Sequence, residues 1–183
     1  IDPLPSLKNK YRFIRGRDKF INAGVFGSQS TNQEELNFFY YKDHRDNSTF
    51  DPERVKELSS NFQREPSSVI TVAKISVAEI ISSSQSYFGD SNEIHLLNLD
   101  IEGFEIDILK DFFSCNVYPW AVCVEELGQT AETLQSREIY NLMKNNGYIL
   151  GSRTFLSSIY IFKNQLNNLP SAYIKELDII KEL

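Results

Sequence analysis

The run Leu96-Leu97-Asn98-Leu99-Asp100-Ile101-Glu102-Gly103-Phe104-Glu105 decides the fold class of this chain. An apolar strand ends on a carboxylate, turns through a second carboxylate and a glycine, and opens an amphipathic helix carrying a third. Ligands of α/β sheets bind in the crevice outside the carboxyl ends of the strands, so acids placed there are placed for chemistry. The same spacing has a plainer use. Acids in a first helical turn stabilise the helix through its macrodipole, by roughly 0.3–1 kcal/mol each.

Working outward, strand and helix patterns alternate. Ile94 to Leu99 is almost continuously apolar, which predicts a strand buried on both faces. Gly103 to Phe113 follows as a helix with Phe104, Ile108 and Phe112 on one side. Trp120 to Val124 is a second buried strand, ending in Glu125-Glu126. Thr133 to Asn146 reads as a helix with Ile139, Leu142 and Met143 inward, stopped by Gly147 in a left-handed conformation. Tyr148 to Leu150 and Ser158 to Phe162 make a closing hairpin around Gly151-Ser152-Arg153, and a terminal helix starts at Pro170.

Upstream, Lys8 to Ile14 predicts a short helix, Phe20 to Val25 a short strand, and Leu36 to Tyr41 a strand or one arm of a hairpin. Asp43 to Asp51 is a polar loop. Pro52 then begins a helix to about Phe62, with its missing N–H in the first turn. Ser68 to Lys74 is β-branched and β-prone. Ser76 and Glu79 have the spacing of a capping box for a helix from Val77 to Ser83. The alternation predicts an α/β chain: a three-layer sandwich with a mostly parallel sheet and an antiparallel C-terminal hairpin.

At 183 residues the chain is expected to be a single domain over 1–183, its last segment, 164–183, ending in the terminal helix. A net charge of −6 argues against a nucleic-acid phosphate backbone as main partner. No stretch approaches the ~20 apolar residues of a membrane span. Cys115 and Cys123 lack metal or redox spacing, and read as free, buried thiols in a reducing cytoplasm. The chain opens on Ile1-Asp2-Pro3-Leu4-Pro5, which looks like the last residues of a strand whose body lies upstream.

Asp2, Asp100 and Glu125-Glu126 each fall at the carboxyl end of a predicted strand, so a parallel sheet gathers them on one rim. An acid at an early strand end commonly accepts hydrogen bonds from the two hydroxyls of a nucleoside ribose. For Asp2 the alternative is a turn carboxylate before proline. A divalent ion held by Asp100, Glu102 and Glu125 or Glu126 is chemically feasible, since hard cations take oxygen ligands, but acid-rich rims without metal are common and no metal is expected. His95 is expected at a boundary and His44 in a solvated loop. No nucleophile elbow, phosphate loop or HExxH zinc motif is present.

The order of these pieces resembles the FkbM family of S-adenosylmethionine-dependent methyltransferases. Asp100-Ile101-Glu102-Gly103-Phe104-Glu105-Ile106-Asp107-Ile108-Leu109 is similar to its D-x-E-G-x-E-x-x-x-L pattern. Ile1-Asp2-Pro3, Phe20-Ile21-Asn22-Ala23-Gly24-Val25, Val122-Cys123-Val124-Glu125 and Asn146-Gly147-Tyr148 support it, in order over roughly residues 1–163. The resemblance implies a Rossmann-like class I fold with an antiparallel last strand, and S-adenosylmethionine as cofactor. It places the ribose on Asp2, the adenine near Asn22 and Ala23, and Asp100 and Glu102 where methionine and acceptor meet. Glu125 would face the acceptor or support Asp100. The glycine-rich loop of the family should precede Asp2, and is expected upstream of Ile1.

The implied activity is O-methylation of a sugar or other polyol. The acceptor would be a small molecule or glycan, with no nucleic acid and no membrane span. A non-catalytic methyltransferase-like binding module is the alternative.

Overall fold

A computed structural model describes residues 1–28, 34–88, 93–101, 103–126 and 137–168. The chain divides into two compact units, Ile1–Ser83 and Ser84–Leu183.

In the first unit, helix α1 (Leu7–Ile14) precedes strands β1 (Gly24–Val25) and β2 (Glu35–Tyr40). Helix α2 (Pro52–Phe62) and strand β3 (Ser68–Ile75) follow, and helix α3 (Val77–Phe88) crosses the unit boundary. The strands form one sheet in the order β1-β3-β2. β1 lies parallel to β3, whereas β2 lies antiparallel to it, from Glu35 opposite Ala73 to Tyr40 opposite Ser68. The expected strand at Phe20–Val25 shrinks to β1 and an isolated parallel bridge between Asp2 and Asn22.

The local chemistry explains most of these elements. Leu36 and Phe38 are buried while Glu35 and Asn37 are exposed, the period-two alternation of a half-buried strand. Asp51 caps α2 by accepting the Glu53 N–H at 2.8 Å. The Ser76–Glu79 capping box forms as its spacing predicts. Glu79 Oε2 accepts the Ser76 N–H at 2.8 Å, and Ser76 Oγ accepts the Glu79 N–H at 3.3 Å. The helix it starts runs on to Phe88, beyond the expected end at Ser83.

The second unit holds strands β4 (Leu96–Leu99) and β5 (Ala121–Glu125), with helix α4 (Glu105–Ser114) between them. Helix α5 (Glu138–Asn145) and strands β6 (Tyr148–Arg153) and β7 (Ser157–Phe162) complete it. The sheet order is β4-β5-β7-β6; β4 and β5 are parallel, and the β5–β7 and β6–β7 pairs are antiparallel. Ile108, Leu109 and Phe112 of α4 and Val122 and Val124 of β5 are buried in its core. Tyr148 is fully buried, and its hydroxyl donates to the Pro119 carbonyl at 2.7 Å.

Several expectations are corrected. The described strand pairs are mixed rather than mostly parallel. The cause in the first unit is an extra reversal: Phe39 and Thr49 exchange N–H···O bonds of 2.9 and 3.1 Å, folding the chain back along β2. After α2 it returns to the Tyr40 end, so β3 must run antiparallel to β2. Asn47 and Thr49 of the expected polar loop are buried in that reversal.

β4 is not buried on both faces: Leu96, 63% exposed, and Asn98 share an uncovered face, and among the described residues β4 pairs on one side alone, with β5. The hairpin turns at Thr154–Leu156, not at Gly151-Ser152-Arg153. Those residues continue β6 past a bulge between Leu150 and Ser152, and a Cβ on Gly151 would lie 2.6 Å from Ile161 Cδ1. The thiols are free but not both buried. Cys115 is exposed where α4 ends in a left-handed Asn116, and Cys123 is half-buried. The start of the helix expected from Thr133 and the terminal helix from Pro170 lie outside the described residues.

Candidate active site

β4 delivers Asp100 to the end of its strand. Leu99 is paired with Val124 across the parallel ladder, so the next residue on each strand, Asp100 and Glu125, are neighbours. Burial, and then the negative charges of Asp100 and Glu105, hold the Glu125 carboxyl above the ordinary glutamate range. Asp100 is exposed and Glu125 half-buried, so the pair faces the solvent at the sheet rim.

The turn that follows is built by a different acid. Gly103 adopts φ +101°, with nothing within 4 Å of where a Cβ would stand, so conformation rather than space requires glycine here. Glu105, only 5% exposed, folds back from the first turn of α4. Its Oε1 accepts the Ile101 N–H at 3.1 Å and its Oε2 the Gly103 N–H at 3.0 Å. A buried carboxylate with both oxygens on backbone donors is satisfied in place. It also sits where the helix dipole favours negative charge. The capping role that the sequence leaves open for Asp100 therefore belongs to Glu105, the last acid of the run. Glu102 lies outside the described residues.

Glu125 and Glu126 separate by one residue of pleat. Glu126 turns inward and is 5% exposed. Its Oε2 accepts the Tyr160 hydroxyl at 3.0 Å and stands 3.6 Å from Arg153 Nη1. Arg153 also donates to the Glu126 carbonyl at 2.9 Å and to Ser158 Oγ at 2.6 Å, tying the exit of β5 to the hairpin. Burial, then the charge of Glu126, pushes the Tyr160 phenol up. Glu126 is therefore a brace inside the unit and not a rim acid.

In the first unit, Asp2 and Asn22 meet. The Asp2 N–H donates to the Ile21 carbonyl at 3.1 Å, and Asn22 Nδ2 to the Asp2 carbonyl at 3.0 Å. Asp2 Oδ1 accepts the Leu4 N–H at 2.8 Å, closing a turn over Pro3. Oδ2 has no hydrogen-bond partner among the described residues. Ala23 is buried beside them in sequence and Asn22 is exposed. His95 is exposed with its ring 4.5 Å from that of Trp120, and His44 is exposed before a 3-10 turn. Among the described residues no three His, Cys, Asp or Glu side chains are grouped to hold a metal ion, and no helix is long and apolar enough to cross a membrane.

The mixed α/β arrangement of these elements is consistent with a methyltransferase fold. The family model for the methyltransferase FkbM domain matches residues 1–150, a stretch that runs across both units. The chain belongs to this family. No curated protein and no solved structure matches it.

Proposed function

We propose that this methyltransferase takes its methyl group from S-adenosylmethionine and transfers it to a hydroxyl oxygen of a sugar or other polyol. The pathway class would be glycan or natural-product biosynthesis. The Rossmann-like three-layer architecture is the fold this reading requires. The observation that carries the reading is the Asp100–Glu125 carboxyl pair at the β4–β5 rim.

The chain's own groups fit that cofactor. Asp2 keeps one acceptor oxygen beyond its turn, and a carboxylate offers only acceptors, as ribose hydroxyls require. Asn22 and Ala23 are assigned to the adenine side by family resemblance. The negative rim pair suits the ammonium and sulfonium charges of the methionine portion. When bound, S-adenosylmethionine supplies a methyl group on an electrophilic sulfonium.

The protein's contribution is alignment and proton handling. Asp100 accepts the hydrogen bond of the acceptor hydroxyl and orients its oxygen. As the oxygen gains the methyl group, its proton passes to the Asp100 carboxylate. Glu102 is proposed as a second orienting acid; unchanged turnover in Glu102→Gln would remove it from that role. A cytoplasmic location accompanies the reading, since two free cysteines suit a reducing compartment.

Calorimetry of the full-length protein with S-adenosylmethionine and with its demethylated product tests the donor. Heat of binding with both is expected. No heat with either overturns the donor assignment.

A further inference from the structure

Six of the twelve residues from Lys8 to Lys19 are lysine or arginine, against one acid, Asp18. This segment is net +5 in a chain of net −6. Beside the cations stand two apolar side chains that the fold does not cover: Phe13 is 91% exposed and Ile14 75% exposed. α1 turns Leu7 and Tyr11 inward, where both are half-buried and the Tyr11 ring lies 5.2 Å from that of Phe20; Ile14, at the end of the same stripe, is left uncovered.

We propose that this segment seats the protein on a membrane surface of anionic lipid. Lys10, Phe13 and Ile14 are three and four residues apart, so they are neighbours on one helix face. Lys8 and Arg12 lie further round the helix, and the three helical cations make no ion pair among the described residues. Arg15 is paired with Asp18 at 2.5 Å, and Lys19 donates to Ser83 Oγ at 2.5 Å. Cations beside exposed phenyl and aliphatic groups are the pattern of a helix lying in the headgroup boundary. There the apolar groups enter the acyl edge and the long basic side chains reach up to phosphates. Charge alone would serve nucleic acid equally. A phosphate backbone offers no apolar slot for Phe13 and Ile14 together, and an isoleucine does not stack on bases as aromatic rings do. The inference is independent of the methyl donor, since none of these residues belongs to the proposed site.

Co-sedimentation with phosphatidylcholine vesicles, with and without phosphatidylglycerol, tests it, with duplex DNA as the competing probe. Binding to the anionic vesicles alone is expected. Lys10→Glu and Arg12→Glu should weaken it roughly fivefold for each unit of positive charge removed. Phe13→Ser with Ile14→Ser should weaken it by roughly tenfold or more. All four side chains are exposed, so the variants should keep the wild-type unfolding midpoint, which is measured alongside. Absence of vesicle binding overturns the proposal. So does binding indifferent to the Phe13 and Ile14 changes, or DNA displacing the vesicles.

Discussion

Two turns in this molecule start from a carboxylate, one at an isolated β-bridge and one at the end of β4, and they use it in opposite ways. At Asp2 the acid caps its own turn, giving Oδ1 to the Leu4 N–H. At Asp100 the turn amides of Ile101 and Gly103 go to Glu105, a residue five positions on. The second arrangement leaves Asp100 at the rim for its neighbour Glu125. A strand-tip acid is available for chemistry to the extent that something else satisfies the turn. In the second unit the last acid of the run carries that structural duty.

The contrast predicts its largest effect on activity at Asp100. Asp100→Asn keeps the shape and removes the base, so kcat/KM should fall by about 10²–10⁴-fold with the unfolding midpoint nearly unchanged. Steady-state kinetics beside urea unfolding checks both halves. A large loss of stability instead would show that Asp100 is holding the turn after all. The reverse signature is expected at Glu105. Glu105→Ala orphans two part-buried N–H groups and should cost about 2–4 kcal/mol of stability by urea unfolding. Glu105→Gln can accept only one of them and should fall between.

The difference between these acids was only partly legible in the sequence. Ile108 and Phe112 announced the buried face of α4 by their spacing, and Ser76 and Glu79 announced their capping box, because both depend on neighbours within one helix turn. The role of Glu105 was within reach of the quoted run, but three acids in six residues do not say which one folds back. Glu125 and Glu126 are chemically alike in sequence. Their fates diverge because one pleat sends Glu126 onto Tyr160 and Arg153, residues far along the chain. The antiparallel course of β2 was only half legible: Leu36 to Tyr41 could be a hairpin arm, but its partner depends on the pairing of Phe39 with Thr49 and not on any local propensity.

A smaller effect separates the two ways of replacing Asp2. Asp2→Asn retains an oxygen for the Leu4 N–H and should leave stability within about 0.5 kcal/mol of wild type, while Asp2→Ala loses that bond and should cost about 1 kcal/mol. If the ribose assignment is right, both should weaken S-adenosylmethionine binding by calorimetry, because neither has a carboxylate for two hydroxyls. Equal stability of the two variants would mean that the Leu4 contact holds nothing, and the first turn would then resemble the second.

The smallest effect is the pH dependence contributed by Glu125. Its folded carboxyl binds a proton more tightly than an unfolded glutamate does. Between the ordinary glutamate range and that raised value, the folded state keeps a proton that the unfolded state has released. Unfolding therefore loses a proton, and stability falls as pH rises through the window, levelling above it. Glu125→Gln cannot titrate and should abolish this fall. It should appear more stable than wild type at neutral pH by less than about 0.5 kcal/mol, since solvent screens a side chain this open. Asp100→Asn should flatten the same slope in part, by removing one of the two charges that raise Glu125. Urea unfolding across pH 4 to 8, roughly the window a carboxyl can reach by such interactions, reads both variants. A slope unaffected by Asp100→Asn would mean that burial alone holds the proton on Glu125, and that the two rim acids do not act as a pair.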